Sequence, residues 1–129
     1  MQTAGPRVLV IDDDYELREE IVDLLLEAGF DAVSAKDGRD GLLEARLHHP
    51  IDAIVLDLHM PMLDGGDFRT MQRSDPQLAR IPVVVVSADR DAREAAERIE
   101  AAAMVAKPFA PNALVNAVRE CIELRVGVA

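Results

Sequence analysis

The chain has 129 residues, of which 50% are hydrophobic, 29% charged and none Trp, so a single core built from Val, Leu, Ile and Ala is expected. Acidic residues outnumber basic ones 24 to 14, a formal net charge of −10, and no Lys/Arg stripe appears, which argues against a nucleic-acid-binding face. No apolar run approaches the roughly 20 residues needed to cross a bilayer, so no membrane partner is expected and the chain reads as cytoplasmic.

Residues 1–6 are short and polar, lack the apolar core of a signal peptide, and are expected to form a disordered tail. Arg7 to Ile11 is a strand-length apolar run (Val8, Leu9, Val10, Ile11) that ends in Asp12-Asp13-Asp14. From Tyr15 to Ala28, Leu17, Ile21, Leu24, Leu25 and Ala28 recur with helical period, and Gly29 supplies the stop. Asp31 to Ala35 is a second strand, followed by an Asp37-Gly38 turn and a helix through Gly41, Leu42, Ala45 and Leu47 that Pro50 ends. His48 and His49 read as solvated residues at that helix end.

Asp52 to Leu56 is a third strand, again ending in an acid, Asp57, before the loop Leu58 to Gly66. A helix from Gly66 to Ser74 is expected to turn Phe68 and Met71 inward, and Asp75-Pro76 breaks it. Ile81 to Val86, with four consecutive valines, reads as a central strand buried on both faces and ending at Ser87. Arg90 to Ala101 is a charged helix with Ala92, Ala95, Ala96 and Ile99 inward, and Met104 to Ala106 a brief fifth strand ending at Lys107-Pro108. The last helix starts near Pro111 and carries Leu114, Val115, Val118 and Ile122, with Cys121 as a small buried hydrophobe rather than a reactive thiol. One domain body over residues 7–125 and a tail over 126–129 follow.

Regular alternation of strand and helix with apolar strands predicts an α/β, doubly wound (βα)5 fold with a parallel sheet in the order 2-1-3-4-5, the flavodoxin-like arrangement. In such sheets the working site lies beyond the carboxyl ends of the strands. The residues there are Asp12 and Asp13 after the first strand, Asp57 after the third, Ser87 after the fourth and Lys107 after the fifth. Carboxylates gathered in one shallow pocket repel one another unless a cation is present, and hard oxygen ligands with open water positions suit Mg²⁺. A metal, the Lys107 ammonium and the Ser87 hydroxyl could each take one phosphoryl oxygen while Asp57 attacks in line, giving an aspartyl-phosphate.

Four segments in order, Val8-Leu9-Val10-Ile11-Asp12-Asp13-Asp14, Asp57-Leu58-His59-Met60-Pro61-Met62-Leu63-Asp64-Gly65, Ser87-Ala88 and Lys107-Pro108-Phe109, resemble the response-regulator receiver family of two-component signalling, in the manner of a single-domain chemotaxis regulator. The resemblance covers nearly the whole chain. It implies that Asp57 accepts a phosphoryl group from a sensor histidine kinase or phosphotransfer protein. It further implies that Asp13, Asp57 and the main-chain carbonyl of His59 bind Mg²⁺ directly, with Asp12 acting mostly through water. Ser87 and Lys107 would contact the phosphoryl group, and the Lys107-Pro108 bond would be cis. The downstream protein partner would meet the face made by the fourth helix, fifth strand and fifth helix, which could also pair two phosphorylated copies.

Two positions depart from the family pattern. Met104 stands where a Tyr or Phe usually couples phosphorylation to that face, and Met repacks without a ring flip. Glu100-Ala101 replaces the usual Gly-Ala, which is expected to alter the turn from helix to strand. Asp14 is set outside the site, as a solvated residue or a cap of the first helix. His59, as a side chain, and Asp89 are expected to tune water access and dephosphorylation.

Other functions fit less well. A haloacid-dehalogenase-type hydrolase would want an acid two residues after the nucleophile, where His59 stands. A flavin carrier of the same topology would want a Ser/Thr/Gly phosphate loop after the first strand, where three aspartates stand. A degenerate receiver serving as a phosphorylation-independent interaction module is the remaining alternative. No catalysis beyond self-catalysed phosphorylation and dephosphorylation is expected. After Lys107-Pro108 there is room for one helix, so the chain reads as a stand-alone receiver or one excised from a longer protein.

Overall fold

A computed structural model describes residues 5–58, 65–88 and 92–127. Strands and helices alternate throughout: β1 (Arg7–Ile11), α1 (Tyr15–Glu27), β2 (Asp31–Ala35), α2 (Gly38–Leu47), β3 (Ala53–Asp57), α3 (Gly65–Arg73), β4 (Val83–Ser87), α4 (Ala92–Arg98), β5 (Ala103–Ala106) and α5 (Pro111–Gly127). The five strands form one sheet in the order β2-β1-β3-β4-β5, and every pairing is parallel. This is the expected doubly wound arrangement.

The central strands are apolar on both faces because helices cover both. Leu9, Ile11, Ile54, Leu56, Val83 and Val85 pack beneath Leu42 and Ala45 of α2, Phe68 of α3 and Ala92 and Ala96 of α4. The alternate residues Val8, Val10, Val55, Val84 and Val86 meet Ile21 and Leu25 of α1 and Leu114, Val118 and Cys121 of α5. Cys121 is buried, as its place in the helical stripe requires.

Local chemistry sets the helix ends. Asp14 caps α1, its carboxylate accepting from the Leu17 N–H at 3.2 Å, and Asp37 caps α2 by accepting from the Asp40 N–H at 2.8 Å. At the far end of α1 the chain turns back through Gly29 at φ 95°, with the Phe30 N–H on Leu25 O at 3.0 Å and the Gly29 N–H on Leu26 O at 3.1 Å. That pair of bonds is a Schellman stop, which places glycine where the backbone must be left-handed. The end of α4 repeats it: Ala101 N–H on Ala96 O and Glu100 N–H on Glu97 O, both at 3.0 Å, with Glu100 at φ 55° in the position Gly29 holds. The exchange of Gly for Glu thus leaves the stop intact, contrary to the expectation from sequence.

Several expectations are corrected. Met71 is 47% exposed, and Gln72, one turn after Phe68, takes its inward place with no exposed surface. Leu47 is likewise exposed, beyond the buried stripe of α2. The helical part of α4 ends at Arg98, because Ile99 to Ala101 form the stop rather than another helical turn. Asp57 and Ser87 are the last residues of their strands, in register with Val86 and Ala106, and α5 runs past residue 125. The peptide bonds preceding Pro50 and Pro108 are cis, the second as the resemblance implied.

Candidate functional site

The parallel register brings the carboxyl ends of β1, β3, β4 and β5 to one edge of the sheet. Asp12 and Asp13 follow β1, Asp57 and Ser87 close β3 and β4, and Lys107 follows β5. One carboxylate oxygen from each of Asp12, Asp13 and Asp57 lies within 4.8 Å of the others. Asp12 and Asp57 are buried, whereas Asp13 is exposed at the rim. Lys107 Nζ stands 3.4 Å from Asp12 Oδ2 and 3.9 Å from Asp57 Oδ2. Ser87 is buried at the same edge, its carbonyl accepting from the Lys107 N–H at 2.9 Å.

One ammonium against three carboxylates leaves these four side chains net negative in a partly desolvated pocket, and a small hard cation relieves that repulsion. An all-oxygen donor set with an open side suits a cation that keeps part of its water, and the residues present therefore fit a divalent metal.

The buried acid is held by groups that the sequence reading did not single out. Asp12 Oδ1 accepts from the Asp14 N–H at 2.9 Å, the Asp12 N–H donates to Ala35 O at 3.2 Å, and Arg18 Nη1 donates to Asp12 O at 2.8 Å. Arg18 also lies 5.3 Å from the centre of the Tyr15 ring. Its spacing of one helical turn after Asp14 is the only trace of this role in the sequence. Asp14 itself is the α1 cap, so it belongs to the helix rather than to the acid cluster.

His59 and Asp89 lie outside the described residues, as do Met60 and Met62. His48 is at the surface, with Nε2 3.3 Å from Glu44 Oε1, in keeping with a solvated helix end. Met104 is partly buried against the core on the side of α2, α3 and α4.

Comparison with known proteins agrees with this fold. The family profile described as response regulator receiver domain matches residues 8–119, and the chain belongs to that family. The transcriptional regulatory protein PrrA of Mycobacterium tuberculosis is 36% identical over 127 residues, which cover 97% of this chain and 53% of PrrA. The DNA-binding response regulator MtrA of Mycolicibacterium smegmatis is 36% identical over 121 residues, 92% of this chain and 51% of MtrA. The chain thus spans about half the length of the curated relatives it matches. Among solved structures, the Vibrio cholerae chemotaxis protein CheY4 superposes with a TM-score of 0.84 at 26% identity, covering 92% of this chain and 99% of CheY4. A response regulator receiver protein from Pseudomonas putida gives 0.82 at 29% identity, covering 92% and 99%.

Proposed function

We propose that this receiver domain is a Mg²⁺-dependent phosphorylation switch whose phosphoryl group is carried on Asp57. The observation that carries the reading is the convergence of Asp12, Asp13 and Asp57 with Lys107 and Ser87 at one sheet edge. A carboxylate oxygen of Asp57 forms the new P–O bond while the P–N bond of a phosphohistidine breaks, and the imidazole leaves with a proton. The donor is a sensor histidine kinase or phosphotransfer protein. Asp13, Asp57 and, as the family resemblance implies, the main-chain carbonyl of His59 would hold the metal. Asp12, with one oxygen on the Asp14 N–H and the other beside Lys107, acts through water. When bound, the metal would supply positive charge against the phosphoryl oxygens.

Lys107 balances a second phosphoryl oxygen and Ser87 donates to the third. Phosphorylation then biases the face formed by α4, β5 and α5, which engages a downstream protein or a second copy. Met104 repacks there in place of an aromatic swing. The domain performs no chemistry beyond its own phosphorylation and dephosphorylation, in which His59 and Asp89 govern water access. Unchanged dephosphorylation in His59→Ala and Asp89→Ala would count against that last role. PrrA and MtrA are named as transcriptional and DNA-binding regulators, and the acidic balance of this chain supports output through protein contact rather than through its own binding of nucleic acid.

The test is intact-mass spectrometry after incubation with acetyl phosphate and Mg²⁺. A single phosphate adduct is expected for the wild type, and none for Asp57→Asn or in EDTA. No adduct under conditions that label a control receiver would overturn the proposal in favour of an interaction module.

A further inference from the structure

A buried arginine outside the acid site is fastened to the end of another helix. Arg69, on α3, is only 8% exposed, and its guanidinium donates from Nε to Ile99 O at 2.8 Å and from Nη2 to Glu100 O at 3.1 Å. Those carbonyls lie in the stop that ends α4, where the last carbonyls of a helix lack partners within it and carry the negative end of its dipole. Arg69 Nη1 donates to Gln72 Oε1 at 2.9 Å. Gln72, fully buried, donates in turn from Nε2 to Leu78 O at 2.7 Å and Ile81 O at 3.0 Å, which fixes its amide and so the orientation of the guanidinium. Arg73, one turn later, adds Nη2 to Glu100 Oε1 at 2.6 Å and to Ile99 O at 3.3 Å.

The helix so fastened otherwise rests mainly on small side chains, with Ile99 beside its stop partly buried against the core. Of α4, Ala92 and Ala96 are buried and Ala95 partly so, and alanine side chains remove little apolar surface from water. Its N-terminal end follows the loop after Ser87, which lies at the acid site, and its C-terminal end leads into β5. The C-terminal end of this short helix is thus held by α3, while its N-terminal end follows the acid site in the chain.

We propose that Arg69 is a positioning residue for the face formed by α4 and β5. Its planar fork clamps the C-terminal stop of α4 to α3, so that α4 pivots about that end when the site at its other end is phosphorylated. The pivot rests on the phosphoacceptor reading above; the clamp does not. A planar fork is required because two successive carbonyls are taken at once, which a lysine ammonium cannot reproduce.

Two variants test it, Arg69→Lys and the apolar double substitution Arg69→Met with Gln72→Leu, which avoids stranding the buried amide. Amide exchange is read residue by residue and referenced to the slowest amides of β1 and β3, which removes any change in global stability. Exchange at Glu100 and Ala101 is expected to quicken roughly tenfold or more in both variants. Unchanged rates there in both would overturn the clamp. In the wild type, Mg²⁺ with beryllofluoride as phosphoryl analogue is expected to shift amides at Ala92 to Ala95 and leave Ile99 to Ala101 in place, whereas in Arg69→Lys the shifts reach Ala101. Equal shifts at both ends of the wild-type helix would overturn the pivot. A wild-type spectrum that beryllofluoride leaves unchanged everywhere counts against the phosphoacceptor reading and removes the pivot with it, while the clamp still stands or falls on the exchange rates.

Discussion

Lys107 sits where its ammonium is shared between Asp12 and Asp57, and the two contacts have opposite consequences. Its positive charge opposes a metal in the acid cluster, yet the proposed chemistry needs it on the phosphoryl group. Lys107→Met is expected to tighten Mg²⁺ binding while slowing labelling by acetyl phosphate about 10²-fold or more, checked by titration calorimetry and intact mass. A loss of metal affinity instead would show that the lysine organises the carboxylates rather than competing for them. Gly29 and Glu100 form a second contrast, since both hold the left-handed position of the same helix stop. Gly29→Ala should lower stability by about 1–2 kcal/mol, because a Cβ there meets no neighbour and the cost is backbone strain alone. Glu100→Gly should raise it by up to about 1 kcal/mol, the lost ion pair to Arg73 being exposed and weak. Urea unfolding measures both. The acid residues were legible in the sequence because apolar runs ended on them. Arg69 was not, since nothing in a pattern of polar and apolar letters announces that a charged side chain will be buried on main-chain carbonyls.

At the scale of elements, the order and type of all ten were legible, and the errors fell on faces and ends. Met71 is apolar and by pattern belongs inward, but Phe68 and Gln72 are one turn apart and share the buried side of α3, which leaves Met71 on the outside. The short α4 was overextended because the stop bonds at Glu100 and Ala101 require no glycine when arginines hold them. On α5, burial, aided by the charge of Glu120, pushes the Cys121 thiol pKa up. The folded state thus resists ionisation, so this group's contribution to stability is complete below about pH 8.5, the unfolded value, and is lost as pH rises from there through the higher folded value. A thiol reagent at neutral pH should accordingly react much more slowly with folded protein than with protein in urea, and equal rates would mean that α5 opens readily.

For the whole molecule, a net charge of −10 and a carboxylate cluster at one sheet edge lead to the expectation that divalent cations raise stability. Mg²⁺ at ten times its dissociation constant should add about 1.4 kcal/mol to the free energy of unfolding, and Asp13→Asn should remove most of that gain. Urea midpoints with and without Mg²⁺ decide the matter, with Ca²⁺ as a second hard cation for comparison. The sheet order was legible because right-handed crossovers and helix-covered strands leave few ways to wind five units. Which surface residues choose a partner was not, because nothing inside the fold dictates them.

The way α4 is held has a bearing on that choice. The helix is anchored through Ala92, Ala95 and Ala96, through Ile99 beside its stop, and through main-chain carbonyls at its end, and a carbonyl is the same whatever side chain its residue carries. Arg93, Glu94, Glu97 and Arg98 point outward and contribute to neither attachment. Those four positions can drift through evolution, or be rewritten by a designer grafting a new binding preference, with little burden on the domain beneath them.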